Sequence, residues 1–367
     1  MPLIFISAGD PSGDIHAARL MSKMKEIIPN VEFIGIGGDR MQAEGLQSIV
    51  PIHEISVVGF WEVLKKINVF RNLMSNCKDI LSNHKIDLFL PVDYPGFNIK
   101  LAKYAKSRNI PVAYYIAPQL WAWGQKRAQQ LSDIDKLFVV FPFEVDFFKQ
   151  HGINAEFVGH PLLDNPVLKQ EPLDFSEREN IIALLPGSRQ QEIEKHLKLF
   201  VRSAVLFKEE YPDFQIVLAK NASTNIDSYL NILQDNNVLL EENSLELMKK
   251  AKIGIVKTGT SNLEAALAGM PFVMVYKTSF FSYLLSKQLI NLKYISIVNI
   301  LKNELIVPEI IQNQATPQRI SSSLIEILKS QDKKQLIKDV YNEIRIILGS
   351  NSAAQITAEK IKNYFFK

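Results

Sequence analysis

The sequence predicts an α/β fold with parallel sheets in two halves, and three observations carry that prediction. Short apolar runs alternate with amphipathic, helix-length segments along most of the 367 residues. That is the pattern of strand–helix–strand units, which bury a parallel sheet between layers of helices. The pattern then recurs in a second half built like the first. Between the halves, residues 161–179 are polar, carry Pro161, Pro166 and Pro172, and show no period, as a linker does.

In the first half the strand-like runs are 3–7, 33–36, 87–92, 112–116 and 137–141, with helical segments such as 15–28 and 99–108 between them. In the second half they are 181–185, 215–219, 253–256 and 272–276. The expected domains are 1–165 and 166–348, followed by a segment, 349–367, that carries Ile356, Ile361 and Phe365 at near-helical spacing. That last helix either caps its own domain or crosses back to the first, and spacing leaves both open. Two Rossmann-like domains facing across a cleft would line it with the carboxyl ends of both sheets, where open α/β sheets bind ligands. Residues at those strand ends therefore matter most.

Composition narrows the function classes. With 47% hydrophobic and 22% charged residues the chain reads as an ordinary soluble globular protein. A net charge of +3 is too small to argue for a nucleic-acid partner. The single Cys77 excludes an internal disulfide framework and fits a reducing cytosol. No cysteine–histidine cluster suggests zinc. The apolar start runs straight into a Gly-rich turn, so it reads as a first strand, not a leader peptide. No apolar run approaches the roughly 20 residues needed to span a bilayer.

The most informative stretch is Lys257-Thr-Gly-Thr-Ser-Asn-Leu-Glu264, which follows the apolar run 253–256. Gly259, Thr260 and Ser261 turn the chain from a strand into a helix, aiming backbone N–H groups and a positive dipole end at one point, a ready phosphate site. Glu264 lies one turn inside, placed to accept from a sugar hydroxyl; Ser261 and Glu264 fit a helix capping box equally well. A second such turn, Leu185-Pro-Gly-Ser-Arg189, offers Gly187 and Ser188, with Arg189 as a fixed positive fork for an anion. Together these point to a nucleoside diphosphate held without an obligatory metal. In the first half, Ala8-Gly-Asp-Pro-Ser-Gly-Asp14 and His16 follow the first strand. The turn lacks the G-x-G-x-x-G fingerprint, which disfavours a dinucleotide. Gly9 and Gly13 allow a tight turn and close approach of a ligand, and Asp10, Asp14 and His16 put polar groups at the cleft, although Ser12 or Asp14 would also serve as a helix cap. Asp93 ends an apolar run in Leu90-Pro-Val-Asp-Tyr-Pro-Gly-Phe-Asn98. A partly desolvated carboxylate there suits a general base, with helix capping the competing role.

One segment stands apart. Residues 60–74 place Phe60, Trp61, Ile67 and Phe70 beside Lys65, Lys66 and Arg71. This fits a basic amphipathic helix on an anionic membrane surface, although base rates favour an ordinary helix packed on the sheet. The aromatic stretch 280–285 is similarly ambiguous.

Taken in order, these motifs resemble the lipid A disaccharide synthases, inverting glycosyltransferases of the GT-B type. The resemblance also takes in Gly38-Asp-Arg-Met-Gln-Ala-Glu-Gly45, Val58-Gly-Phe-Trp-Glu-Val-Leu64, Pro118-Gln-Leu-Trp-Ala-Trp123 with Arg127, and Phe157-Val-Gly-His-Pro161. It implies transfer of 2,3-diacylglucosamine from its UDP ester to the 6-hydroxyl of 2,3-diacylglucosamine 1-phosphate, without cofactor or metal. Asp93 becomes the implied base, with Asp10 and His16 next. Gly187 to Arg189, Gly259 to Ser261, Glu264 and Asn299, after an expected strand 294–298, become the UDP-sugar site. Ser12, Gly13, Asn98, Trp121, Trp123 and Arg127 become the acceptor side. The implied location is the cytoplasmic face of the inner membrane of a Gram-negative bacterium, peripherally bound; a homodimer stays open. Two departures stand out: Asp10 replaces the family's usual Glu, and Gly124 stands where Arg is frequent. Two rivals remain, another UDP-sugar enzyme on this scaffold (a UDP-N-acetylglucosamine 2-epimerase or the peptidoglycan-precursor transferase) and a non-catalytic nucleotide-sugar sensor.

Overall fold

In the computed structural model, residues 1–51, 67–221, 224–278 and 292–366 are described, apart from the side chains of Pro51, Ile67, Trp123 and Lys126. The chain forms two compact units, residues 1–164 with 348–367, and residues 165–347.

The first unit contains β1 (Leu3–Ser7), α1 (Pro11–Ile27), β2 (Glu32–Gly37), α2 (Asp39–Ala43), β3 (Leu46–Pro51) and α3 (Ile67–Asn83). It continues with β4 (Leu88–Pro91), α4 (Pro95–Ser107), β5 (Ala113–Tyr115), β6 (Lys136–Val139), α5 (Pro142–Gln150) and β7 (Ala155–Phe157). The strands are parallel in the order β3-β2-β1-β4, and single bridges from Phe89 to Val112 and Val92 to Tyr115 carry the order on to β5-β6-β7. Strand order therefore reverses between β1 and β4. One layer of core joins Phe5, Cys77, Phe89, Leu101 and Val112; another joins Tyr114, Leu137, Val139 and Phe148. Burial pushes the Cys77 thiol up to about 12, so it behaves as a small apolar side chain. Helices α1, α4 and α5 each begin with a proline, whose missing N–H costs nothing in the first turn.

The second unit runs through β8 (Glu179–Leu185), α6 (Gln190–Glu210), β9 (Gln215–Ala219), β10 (Leu239–Glu241), α7 (Ser244–Lys250) and β11 (Ala251–Lys257). It closes with α8 (Thr260–Leu267), β12 (Phe272–Tyr276), β13 (Glu309–Ile311), α9 (Pro317–Lys329) and α10 (Gln331–Ile347). Its six parallel strands follow the order β10-β9-β8-β11-β12-β13, which reverses between β8 and β11. Arg178 is nearly buried and donates to Met248, Ala251 and Ala268 carbonyls, while Arg345 donates to Leu267. These cations meet the orphan carbonyls and negative dipole ends of α7 and α8.

The last helix, α11 (Ala353–Phe365), belongs to the first unit and packs on α1. Asp164 accepts from the Ala353 and Ala354 N–H groups at its start. At its far end Lys360 and Tyr364 reach Glu156 on β7, which also pairs with Lys136.

Candidate active site

Parallel sheets bind ligands where strand order reverses, because neighbouring connections there leave in opposite directions and open a crevice. The two reversals hold the residues of interest.

In the first unit the reversal lies between the ends of β1 and β4. After β4, Asp93 (φ 46) and Tyr94 (φ 54) are consecutive left-handed residues, a conformation costing of order 1–3 kcal/mol each for side chains other than glycine. Neighbours hold it in place. Tyr114 Oη and Asn98 Nδ2 both donate to the Asp93 carbonyl, at 2.6 and 2.8 Å, and Asp93 N–H donates to Tyr115 O. Such strain, maintained by packing, is typical of functional positions. Burial pushes the Asp93 carboxyl up to about 7; the charge of Asp10 adds to this, and the Tyr94 N–H opposes it. A carboxylate poised near neutrality is what general-base chemistry requires.

Its neighbours are occupied differently from the sequence expectation. Asp10 caps α1, accepting from Gly13 N–H at 2.6 Å. Asp14 caps not its own helix but α2, accepting from Gly38, Arg40 and Met41. His16 is buried and pushed down to about 4 by burial and then by Arg19, so it is neutral near pH 7. Its Nδ1 is buried without a partner, while Nε2 lies 3.4 Å from exposed Ser12 Oγ.

Two acceptor-side expectations need correction. Asn98 is fully buried: its Nδ2 donates to Ser7, Val92 and Asp93 carbonyls and its Oδ1 accepts from Ser7 Oγ, so it builds the turn and cannot reach a substrate. Trp121 is likewise buried, its Nε1 donating to Glu144 and its ring edge-on to Phe143 at 4.9 Å. Arg127 is half-buried in the short 3-10 helix Gln125–Leu131. Trp123's side chain lies outside the described residues, as do Phe60, Trp61, Lys65, Lys66, the Ile67 side chain and residues 280–285. Phe70, on α3, packs partly against the core cluster.

Glu144 is a carboxylate that sequence reading missed. It is fully buried, accepts from Val140 and Phe141 N–H groups, and is pushed up to about 7 chiefly by burial. Its only sequence signal was its place three residues into a helix that opens with proline.

In the second unit the reversal lies between β8 and β11, paired so that Leu185 faces Val256. The two phosphate-directed turns are therefore neighbours. Gly187 (φ 126) and Gly259 (φ 140) adopt backbone angles that side-chain-bearing residues avoid. A Cβ on Gly187 would also lie 2.3 Å from Glu192 Oε2. Gly259 and Thr260 are exposed and Ser261 is half-buried, so the turn at the head of α8 is open. The capping-box alternative fails here. Helix α8 starts at Thr260 with Gly259 as its N-cap and no side-chain cap. Ser261 thus lies inside the first turn and Glu264 is not the cap's partner. Glu264 is half-buried and raised above its usual range by burial, which a hydrogen bond from Ser261 partly offsets.

Sequence reading also missed Glu192 and Lys257, which join these turns. Glu192 accepts from Ser188 N–H at 3.0 Å, lies 3.5 Å from Arg189 Nη1, and pairs with Lys257 at 2.7 Å. Burial alone would raise its carboxyl, but Lys257, followed by Ser188 and Arg189, outweighs burial and holds it below the usual range.

Asn299 is corrected as well. Residues 297–302 form a short helix, not the end of a strand, and Asn299 is buried within it. Its amide donates to Val307 O and Glu309 and accepts from Ile306 and Val307 N–H groups, leaving nothing for a ligand. A groove lined by Phe175, Arg178, Lys334 and Tyr341 contains none of the phosphate-turn residues. The described residues hold no group of three or more His, Cys, Asp or Glu placed for a metal ion.

The paired α/β units have the architecture of GT-B glycosyltransferases and related sugar-nucleotide enzymes. A putative UDP-N-acetylglucosamine 2-epimerase from Listeria monocytogenes superposes with a TM-score of 0.66 at 10% identity, covering 100% of this chain and 96% of that one. The calicheamicin glycosyltransferase gives 0.65 at 14% identity, covering 100% of both chains. At such identities the likeness is one of fold. Sequence goes further: the lipid-A-disaccharide synthetase family model matches residues 4–362. A lipid-A-disaccharide synthase from Nitrosococcus oceani is 35% identical over 370 residues, covering 97% of this chain and 94% of the relative. The chain belongs to the lipid-A-disaccharide synthase family of glycosyltransferases.

Proposed function

We propose that the protein transfers 2,3-diacylglucosamine from its UDP ester to the 6-hydroxyl of 2,3-diacylglucosamine 1-phosphate, with inversion, giving the β-1,6-linked disaccharide 1-phosphate and UDP. Membership of the family supports the reaction. The observation that carries the chemistry is Asp93, a carboxylate raised to about 7 at a strained strand end.

In this reading Asp93 takes the proton of the acceptor 6-hydroxyl as its oxygen bonds to the anomeric carbon. The bond from that carbon to the phosphate oxygen breaks, and UDP leaves with the electron pair. Leaving-group charge is met in the second unit by the open turn at Gly259 to Ser261, by the Gly187–Ser188 turn and by Arg189, a preorganised electrostatic arrangement. Glu264, free of capping, accepts from a ribose hydroxyl. The acylated substrates place the enzyme at a membrane surface, on the cytoplasmic face. Among the described residues no helix is long and apolar enough to cross a membrane, which fits peripheral attachment.

The test is an assay of the purified protein with radiolabelled UDP-2,3-diacylglucosamine and the monosaccharide acceptor, in EDTA. Disaccharide and UDP should form only when both lipids are present. Epimerisation of UDP-N-acetylglucosamine supplied alone would move the assignment to the epimerases; turnover lost in EDTA and regained with magnesium would remove the metal-free mechanism.

A further inference from the structure

The donor turns are bridged by an ion pair whose cation has more to do than neutralise its partner. Lys257 ends β11, and its ammonium lies 2.7 Å from Glu192 Oε1. The same ammonium stands 3.7 Å from the point where a Cβ on Gly259 would be, at the mouth of the open α8 turn. Glu192 reaches the site from the first turn of α6, and its other oxygen accepts from Ser188 N–H in the neighbouring turn. Lys257 and Glu192 side chains are only 18% and 16% exposed, whereas Arg189 is 49% exposed and 3.5 Å from Glu192. One carboxylate thus gathers two cations and a turn N–H at the strand-order reversal. Two positive charges against one negative leave the cradle with positive charge to offer.

We propose that Lys257 is a diphosphate-binding residue of the donor site, held at the mouth of the α8 turn by Glu192 until the nucleotide enters. This rests on the reading of the two turns as the UDP site. A lysine suits this role because its ammonium is a compact charge on a flexible stem. It swings from a carboxylate to a phosphate oxygen without new backbone geometry. Glu192 is the positioning residue, tying the ammonium to the Ser188 turn so that both phosphate-directed elements share one charged centre.

The competing role for Lys257 is purely structural, neutralising a half-buried carboxylate. Calorimetric titration with UDP, on the full chain, separates the two. Lys257→Met should weaken UDP binding about tenfold, the size of one charge-assisted contact. It should also lower the melting temperature, because Glu192 loses its partner. Adding Glu192→Gln removes that unpaired charge and should restore the melting temperature, yet UDP should still bind several-fold more weakly than to the wild type. Lys257→Arg should keep most of the affinity. If the double variant binds UDP as tightly as the wild type, Lys257 serves only Glu192 and the proposal is overturned. A wild-type protein that binds no UDP fails differently, since it overturns the donor-site reading itself.

Discussion

Asp93 is the proposed base of the first unit, and its setting makes two measurable demands. Asp93→Asn should lower transfer by about 10²–10⁴-fold while UDP affinity holds, because loss of a general base acts on the chemical step. In the wild type kcat/KM should fall about tenfold per pH unit below about 7, as the base is protonated. Stability follows the opposite sign. A carboxyl raised from 3.8 to about 7 contributes stability fully below pH 3.8 and loses it as pH rises through 7. Scanning calorimetry should therefore find Asp93→Asn melting higher than the wild type at pH 8, with the gap closing by pH 4. A variant that melts lower at pH 8 would show that its neighbours stabilise the charged form. Glu264→Ala should raise the UDP dissociation constant and leave the melting temperature unchanged, since α8 starts at Thr260, capped by Gly259, without it; the reverse pattern would return Glu264 to a structural role. Asp93 was legible because it ends an apolar run before a helix-starting proline. Glu192 was not. It reads as a surface helix position until β8 and β11 are known to be neighbours, and the same pairing is what gives Lys257 its meaning.

At the level of elements, long apolar strands declared themselves and short half-exposed ones did not. β1, β8 and β12 hold the continuous apolar runs 4–6, 181–185 and 272–275, buried on both faces as parallel strands are. β7 and β10 have no buried residue and only three positions each, so nothing distinguishes them from loop. Asn299 shows the converse failure, in which an apolar run taken for a strand is in part a short helix that positions the asparagine to hold a loop. Helix starts were misjudged by about one turn, because α1 and α4 open on prolines that sequence reading left outside. Caps contributed by distant residues were beyond reach altogether. Asp14 serves α2 from within α1, and Asp164 serves α11 from nearly two hundred residues earlier. Ser352 is the N-cap of α11, and Asp164 meets the next two N–H groups, so Asp164→Ala should cost about 1 kcal/mol, on the scale of a lost cap. Amide exchange should locate the loosening in residues 353–365. Equal exchange there in both proteins would mean that the Ser352 cap, the packing on α1 and the contacts of Lys360 and Tyr364 secure the helix without Asp164.

For the molecule as a whole, two sheets with one strand order each offer a reversal point, and the proposed division of labour follows: base from one unit, nucleotide from the other. The acylated substrates proposed for the protein would call for a membrane surface, and among the described residues no helix is long and apolar enough to span one. Vesicle sedimentation should find the protein on anionic lipid at low salt, released as salt rises, with attraction worth about 1 kcal/mol per basic residue near the surface. Lys65→Glu with Lys66→Glu should release it without altering UDP affinity; full sedimentation of that variant would point to residues 280–285 instead. The return of α11 to the first unit carries a consequence for synthesis. Residues 165–347 form a self-contained unit, whereas the first unit needs the segment after residue 347 to cover α1. On the ribosome the second unit is thus free to finish folding first, though it is made later than nearly all of the first. Until residues 353–365 emerge, the nascent first unit presents the uncovered face of α1.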